Sequence, residues 1–252
     1  MSTINLKDSI KLSVEAASGG AQTVVYTAKG QPCIMNKIKA FTLDSVGLGT
    51  GLHPAFITSK GNLDHIYIGT YAGTIVDNEL VSSPVLSASV SLALPSYEAA
   101  AKASGKGFHI MTNAEWSALM IQAYMNETVP YGNTTKGESI ISGTKGTLAY
   151  PNSTTNFTII NGSGAASWRH DKKYNGISDL VGNVAEYAIG IRTIGGEIQV
   201  IRNNNAALST ADTSVVSVEW LAIDATSGLF KTPTFTGSSA TNDYVATTAN
   251  SV

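Results

Sequence analysis

Apolar positions along the chain change period several times, and each change predicts an element. In NLKDSIKLSVEAASGG, Ile10, Leu12 and Val14 alternate as in a strand, while Leu6, Ile10, Val14 and Ala17 recur at helical spacing. Asn5 as N-cap, Asp8 in the first turn and the Gly19-Gly20 stop favour the helix. From Thr23 to about Leu94 the pattern is that of strands: TVVYTA, CIMNKIKAF and HIYIGTYAGTIV are β-branched and aromatic, with Gly, Pro and Asn between them. The last of these predicts two strands, or one strand bulged at Gly69 or Gly73.

Two helices follow. Pro95-Ser96 introduces YEAAAKASGKG, with Ser96 as expected N-cap and Gly105 as stop. In FHIMTNAEWSALMIQAYMNET, Thr112 and Glu115 have the spacing of a capping box. Trp116, Leu119, Met120, Ala123 and Tyr124 then recur at helical spacing and predict a core-facing stripe. Residues 126–167 are polar and Gly-rich, with short apolar runs such as FTII; a loop of that length in a compact domain is often functional. After Tyr187, strands are expected near 189–194, 197–201 and 215–223, with a further strand or two and a polar end in the tail.

Composition narrows the function. Hydrophobic residues make up 43% of the 252, enough for a real core, but only 13% are charged. That is about half of what soluble proteins ordinarily carry, so Ser, Thr, Asn and Gly must supply the polar surface. Neutral surfaces of this kind are common on secreted, virion and cell-surface proteins. The formal net charge is −2, with Lys and Arg scattered, so no face suits a nucleic-acid backbone. No apolar run is long enough to span a bilayer, and MSTINLKDSI has neither the basic nor the apolar region of a secretory signal. Five N-x-S/T sequons, at Asn126, Asn133, Asn152, Asn156 and Asn161, are what chance gives in a chain so rich in these residues.

Candidate chemistry is sparse. Cys33 is the one cysteine, which excludes an internal disulfide, a cysteine-only zinc site and a dithiol pair; its strand-like surroundings predict a buried, inert thiol. His53, His65, His109 and His170 have no metal-ligand spacing, and Gly47-Leu48-Gly49-Thr50-Gly51 lacks the lysine of a phosphate loop. What stands out is NGISDLVGNVAEY, residues 175–187, where Asp179, the pair Gly182-Asn183 and Glu186 interrupt an apolar run. Three readings remain open. Asp179 caps a turn and Glu186 accepts buried backbone N–H groups; the two carboxylates ligate Ca²⁺; or they form an acid/base pair.

FHIMTNAEW (108–116) followed by NGISDLVGNVAEY (175–187) resembles the paired signature of formylglycine-generating-enzyme-like domains, G-W-R-L-P-T-x-A-E-W and then G-L-x-D-M-x-G-N-V-W-E-W. The resemblance implies a C-type-lectin-like α+β fold of short strands, two main helices and long loops. The order HPAFI (53–57), YIGTY (67–71), GKGFHIMTNAEW (105–116), GSGAASWRHD (162–171) and GGEIQVIRNNNAA (195–207) is similar to phage and prophage surface proteins with this domain. Among their relatives are the variable proteins of diversity-generating retroelements. About residues 30 to 223 are covered. The expected organisation is a docking helix in 1–22, a strand-rich segment in 23–94 and the lectin-like domain in 95–252.

The same resemblance carries expectations about function. The enzymes of the family use a late cysteine pair, and no cysteine follows position 33; Ala185 and Tyr187 stand where the two tryptophans of N-V-W-E-W would be. A non-enzymatic virion protein on a tail or head fibre is therefore implied, a homo-oligomer such as a trimer, joined to other virion proteins and binding a bacterial surface receptor. The alternative is a capsid-decorating or tail-assembly subunit, and a remote one is a formylglycine-generating-enzyme-like oxidase. Loop residues expected at the receptor are Tyr131, Asn133, Tyr150, Trp168, Arg169, His170, Asn203, Asn204 and Asn205. Family members bind Ca²⁺ at the second motif, which implicates the carbonyls of Val181, Gly182 and Val184 and the side chain of Glu186.

Overall fold

β-branched residues on either side of a Gly-containing turn build the first hairpin. In the computed structural model, which describes residues 6–234, Gln22–Tyr26 (β1) runs antiparallel to Pro32–Lys39 (β2), with Val24 opposite Ile34. Counting ahead along the chain, His65–Gly69 (β5) pairs with the other edge of β2, Ile66 opposite Ile38, to complete a three-stranded antiparallel sheet. The two intervening strands, Ile57–Thr58 (β3) and Gly61–Asn62 (β4), form a small hairpin. Among the described residues, three α-helices and small antiparallel sheets make a mixed fold of the α+β kind.

Contacts divide the chain into two units, each assembled from separate segments. The first comprises residues 1–39, 65–108 and 119–186. Its helix Leu6–Ala17 (α1) packs beside β1, as the helical spacing predicts; Asn5, the expected cap, lies outside the described residues. HIYIGTYAGTIV forms two strands, β5 and Thr74–Val76 (β6). β6 turns back into Glu79–Val81 (β7) through Asp77 and Asn78, both left-handed as a type I′ hairpin requires. Glu79 is buried and its carboxylate accepts from Thr27 Oγ1 and from Lys29 N, so it ties this hairpin to the β1–β2 turn.

Helix α2 spans Leu94–Ser104 and stops at Gly105 as expected. Its cap is not Ser96. The cap is Ala93 and the helix starts at Leu94, with Pro95 in the first turn, where a missing N–H costs nothing. Helix α3, Asn113–Met125, gives residues 119–125 to this unit and 113–118 to the other. Its buried side is Ala114, Glu115, Ala118, Leu119 and Ala123. Met120 and Tyr124 are 64% and 74% exposed, which corrects the expected core stripe. The small alanines bring that side into close packing, so the buried stripe is rotated from the one that bulky residues suggest.

Residues 126–167 contain isolated bridges but no α-helix or strand before the short 3₁₀ turn Ala166–Trp168. Trp168 and Ile159 are fully buried beneath this segment, and Gly164 lies so close to the Trp168 ring that a Cβ there would sit 2.2 Å from it.

The second unit comprises residues 40–64, 109–118 and 187–252. Its four-stranded antiparallel sheet has the order β11-β10-β9-β8, built from Ile191–Ile194 (β8), Glu197–Ile201 (β9), Trp220–Ile223 (β10) and Phe230–Lys231 (β11). Gly195 and Gly196, both at positive φ, close the β8–β9 hairpin. The Arg192 guanidinium lies 4.1 Å above the Trp220 ring and donates to Gln199, which locks one face of the sheet. The strand expected over 215–223 is shorter. Val215, Val216 and Val218 are exposed in a turn, in which Ser214 N donates to Asp212 Oδ1 and Glu219 N donates to Ser217 Oγ. Any strand of the tail after residue 234 lies outside the described residues.

Candidate functional site

The NGISDLVGNVAEY motif contains a turn in which Ser178 and Asp179 are buried. Asp179, Gly182 and Asn183 adopt left-handed backbone conformations at φ 60°, 70° and 62°. Asp and Asn tolerate that region better than other non-glycine residues. Asp179 is buried and its Oδ2 accepts from Gly162 N at 2.7 Å. Arg169, also buried, donates to the Gly162 and Gly176 carbonyls, so Gly162 is held between opposite charges, its N–H on Asp179 and its carbonyl on Arg169. Burial raises the Asp179 pKa above the ordinary carboxylate value, against the Gly162 and Ser178 hydrogen bonds and the Arg169 charge.

Asn183 does the same for the long loop. Its Oδ1 accepts from Ile159 N at 2.9 Å and Asn133 Nδ2 at 3.1 Å, while its own N–H donates to Asn133 O at 2.9 Å. Asn133 passes the connection on, donating to Phe157 O and accepting from Gly137 N. Asn161 donates to Ala72 O and completes the set. The motif therefore fastens residues 132–162 by amide and carboxylate side chains in place of a strand ladder.

Glu186 stands apart from this. The expectation that it accepts buried backbone N–H groups is corrected: that work falls to Asp179 and Asn183. The residue as a whole is exposed, yet protein crowded around its carboxyl, with the Asp179 charge, pushes its pKa up to about 7.

The four positions implicated in calcium binding lie on the same turn. The Val181 carbonyl abuts Gly132, where an added Cβ would lie 1.8 Å away, and the Gly182 carbonyl accepts from Val184 N at 2.8 Å. A cation that takes six to eight oxygens would need further ligands beyond these four positions. Among the described residues no group of three or more His, Cys, Asp or Glu side chains is placed to hold a metal.

The second unit has a buried polar centre of its own. Thr112 Oγ1 accepts from Glu115 N, and Glu115 Oε2 accepts from Thr112 N at 3.0 Å, which is the reciprocal capping box. Glu115 also accepts from Asn204 Nδ2 at 3.0 Å and pairs with His109 Nε2 at 3.0 Å. Burial works to raise the Glu115 pKa, but the His109 charge and these hydrogen bonds outweigh it and hold it below the ordinary value. Asn204 spends its remaining capacity on Ala55 O and Thr112 Oγ1. These groups are bonded to one another, which suits a brace for the helix start.

Ser117 Oγ lies 3.4 Å from His53 Nε2 and invites a nucleophile reading. The tautomer argues against it. His53 Nδ1 accepts from Ala55 N, and burial lowers the ring's pKa, so the neutral ring carries its proton on Nε2 and donates toward Ser117. A general base must accept from the serine. Cys33 is buried with its thiol pKa raised, chiefly by burial, so the reactive thiolate is disfavoured.

The expected receptor residues separate into two groups. Asn133, Trp168, Arg169, His170 and Asn204 are buried and bonded within the protein, which corrects their assignment to a contact surface. Trp168 Nε1 donates to Thr144 Oγ1, and His170 Nδ1 accepts from Ile177 N. Tyr131 and Tyr150 are exposed, and Asn203 and Asn205 partly so, although Asn205 Oδ1 accepts from Ser59 N. Ile140 and Ile141, 74% and 75% exposed, were not anticipated. Their signal is local: Ser139, Ser142 and Thr144 flank an apolar pair in a turn closed by Ser139 N to Thr144 O and Gly143 N to Ser139 O. No protein-family model matches this chain, and no curated protein matches it significantly.

Proposed function

We propose that this chain is a non-enzymatic bacteriophage surface protein, of tail-fibre or head-fibre type, that binds a receptor on the host surface through loops on a C-type-lectin-like scaffold. The observation that carries the reading is the segment 126–167. It is fixed by Asn133, Asn161, Asp179 and Asn183, and it holds Tyr131, Ile140, Ile141 and Tyr150 out to solvent. Rigid support with variable, exposed tips is how loop-borne recognition sites are built, because ordering has been achieved before the partner arrives. The single buried thiol offers nothing to an oxidase of the formylglycine-generating kind. Immunogold electron microscopy of the virions of the encoding phage, with antibody against this chain, tests it. Gold at fibre tips is expected; gold spread evenly over the capsid would overturn the receptor reading.

A second reading, a capsid-decorating or tail-assembly subunit docked to sister proteins, is favoured by α1. It packs beside β1, yet none of its described side chains is buried, so its outer face is open to a partner. Deleting residues 1–20 is expected to abolish incorporation into particles on this reading, and normal incorporation would count against it.

A further inference from the structure

We draw no further inference here: the strongest candidate, the exposed apolar tip Ile140–Ile141 on the turn that Thr144 ties to buried Trp168 in the first unit, carries none because nothing in the structure shows what covers it.

Discussion

Asn133 and Asn183, 50 residues apart, hold each other twice: Asn133 Nδ2 donates to Asn183 Oδ1 at 3.1 Å, and Asn183 N donates to Asn133 O at 2.9 Å. One of these bonds belongs to the side chains and can be removed by substitution. Asn133→Ala also strips the Gly137 N–H of its acceptor and Phe157 O of a donor. Leaving such groups buried and unmet costs on the order of 1–3 kcal/mol each. Urea denaturation is expected to show a loss of about 3 kcal/mol, with faster amide exchange across 133–160. An unchanged midpoint would mean the loop is held by something else.

Val85 sits at φ 61° with a side chain that is 78% exposed, a conformation that crowds a β-branched residue and gives it no packing in return. Val85→Asn is expected to stabilise the protein by about 1 kcal/mol, because Asn visits the left-handed region at lower cost. Thermal melting of the two proteins side by side checks this. A lower melting temperature in the variant would show that the valine is making contacts that matter.

The Glu186 carboxyl has its pKa raised from 4.5 to about 7 in the folded protein. The folded state therefore holds this proton more tightly than the unfolded chain does. Its contribution is fully present below about pH 4.5 and is lost as pH rises through 7. Asp179, also raised, acts with the same sign at lower pH. His53 and His170, whose pKa values are lowered by burial, act oppositely as pH falls through 6.5. The difference between wild type and Glu186→Gln isolates the carboxyl: the variant should gain stability relative to wild type between pH 5 and 7.5. A constant difference across that range would refute the assignment.

Calcium should leave the protein unmoved. With the Val181 and Gly182 carbonyls engaged, millimolar Ca²⁺ is expected to produce no thermal shift, and Tb³⁺ no sensitised emission above that of the Glu186→Gln variant. A shift of several degrees that Glu186→Gln abolishes would restore the metal reading.

What could be read from the chain beforehand was local. The Thr112–Glu115 box works over three residues, and β6–β7 and β8–β9 close through turn residues adjacent to the strands they join. Asn204 could not be read this way. Its partner Glu115 is 89 residues away, and an Asn triplet looks the same whether it forms a turn or braces a core. Met120 and Tyr124 misled for a different reason: helical spacing identifies a face, and size suggests burial, but alanines on the adjacent face allow closer approach. Asp179 and Asn183 were visible as anomalies in an apolar run, while the segments they fasten were not.

Anchoring by Asn133, Asn161, Asp179 and Asn183 has a consequence for how freely this surface can change. None of the four lies at positions 140, 141 or 150, so the identity of the tips is decoupled from the bonds that order the loop. A library randomised at Ile140, Ile141 and Tyr150 should therefore yield mostly folded, soluble members, whereas one randomised at the four anchors should not. If the tips are the proposed contact face, that face could change by substitution alone, without first acquiring new stability to support it.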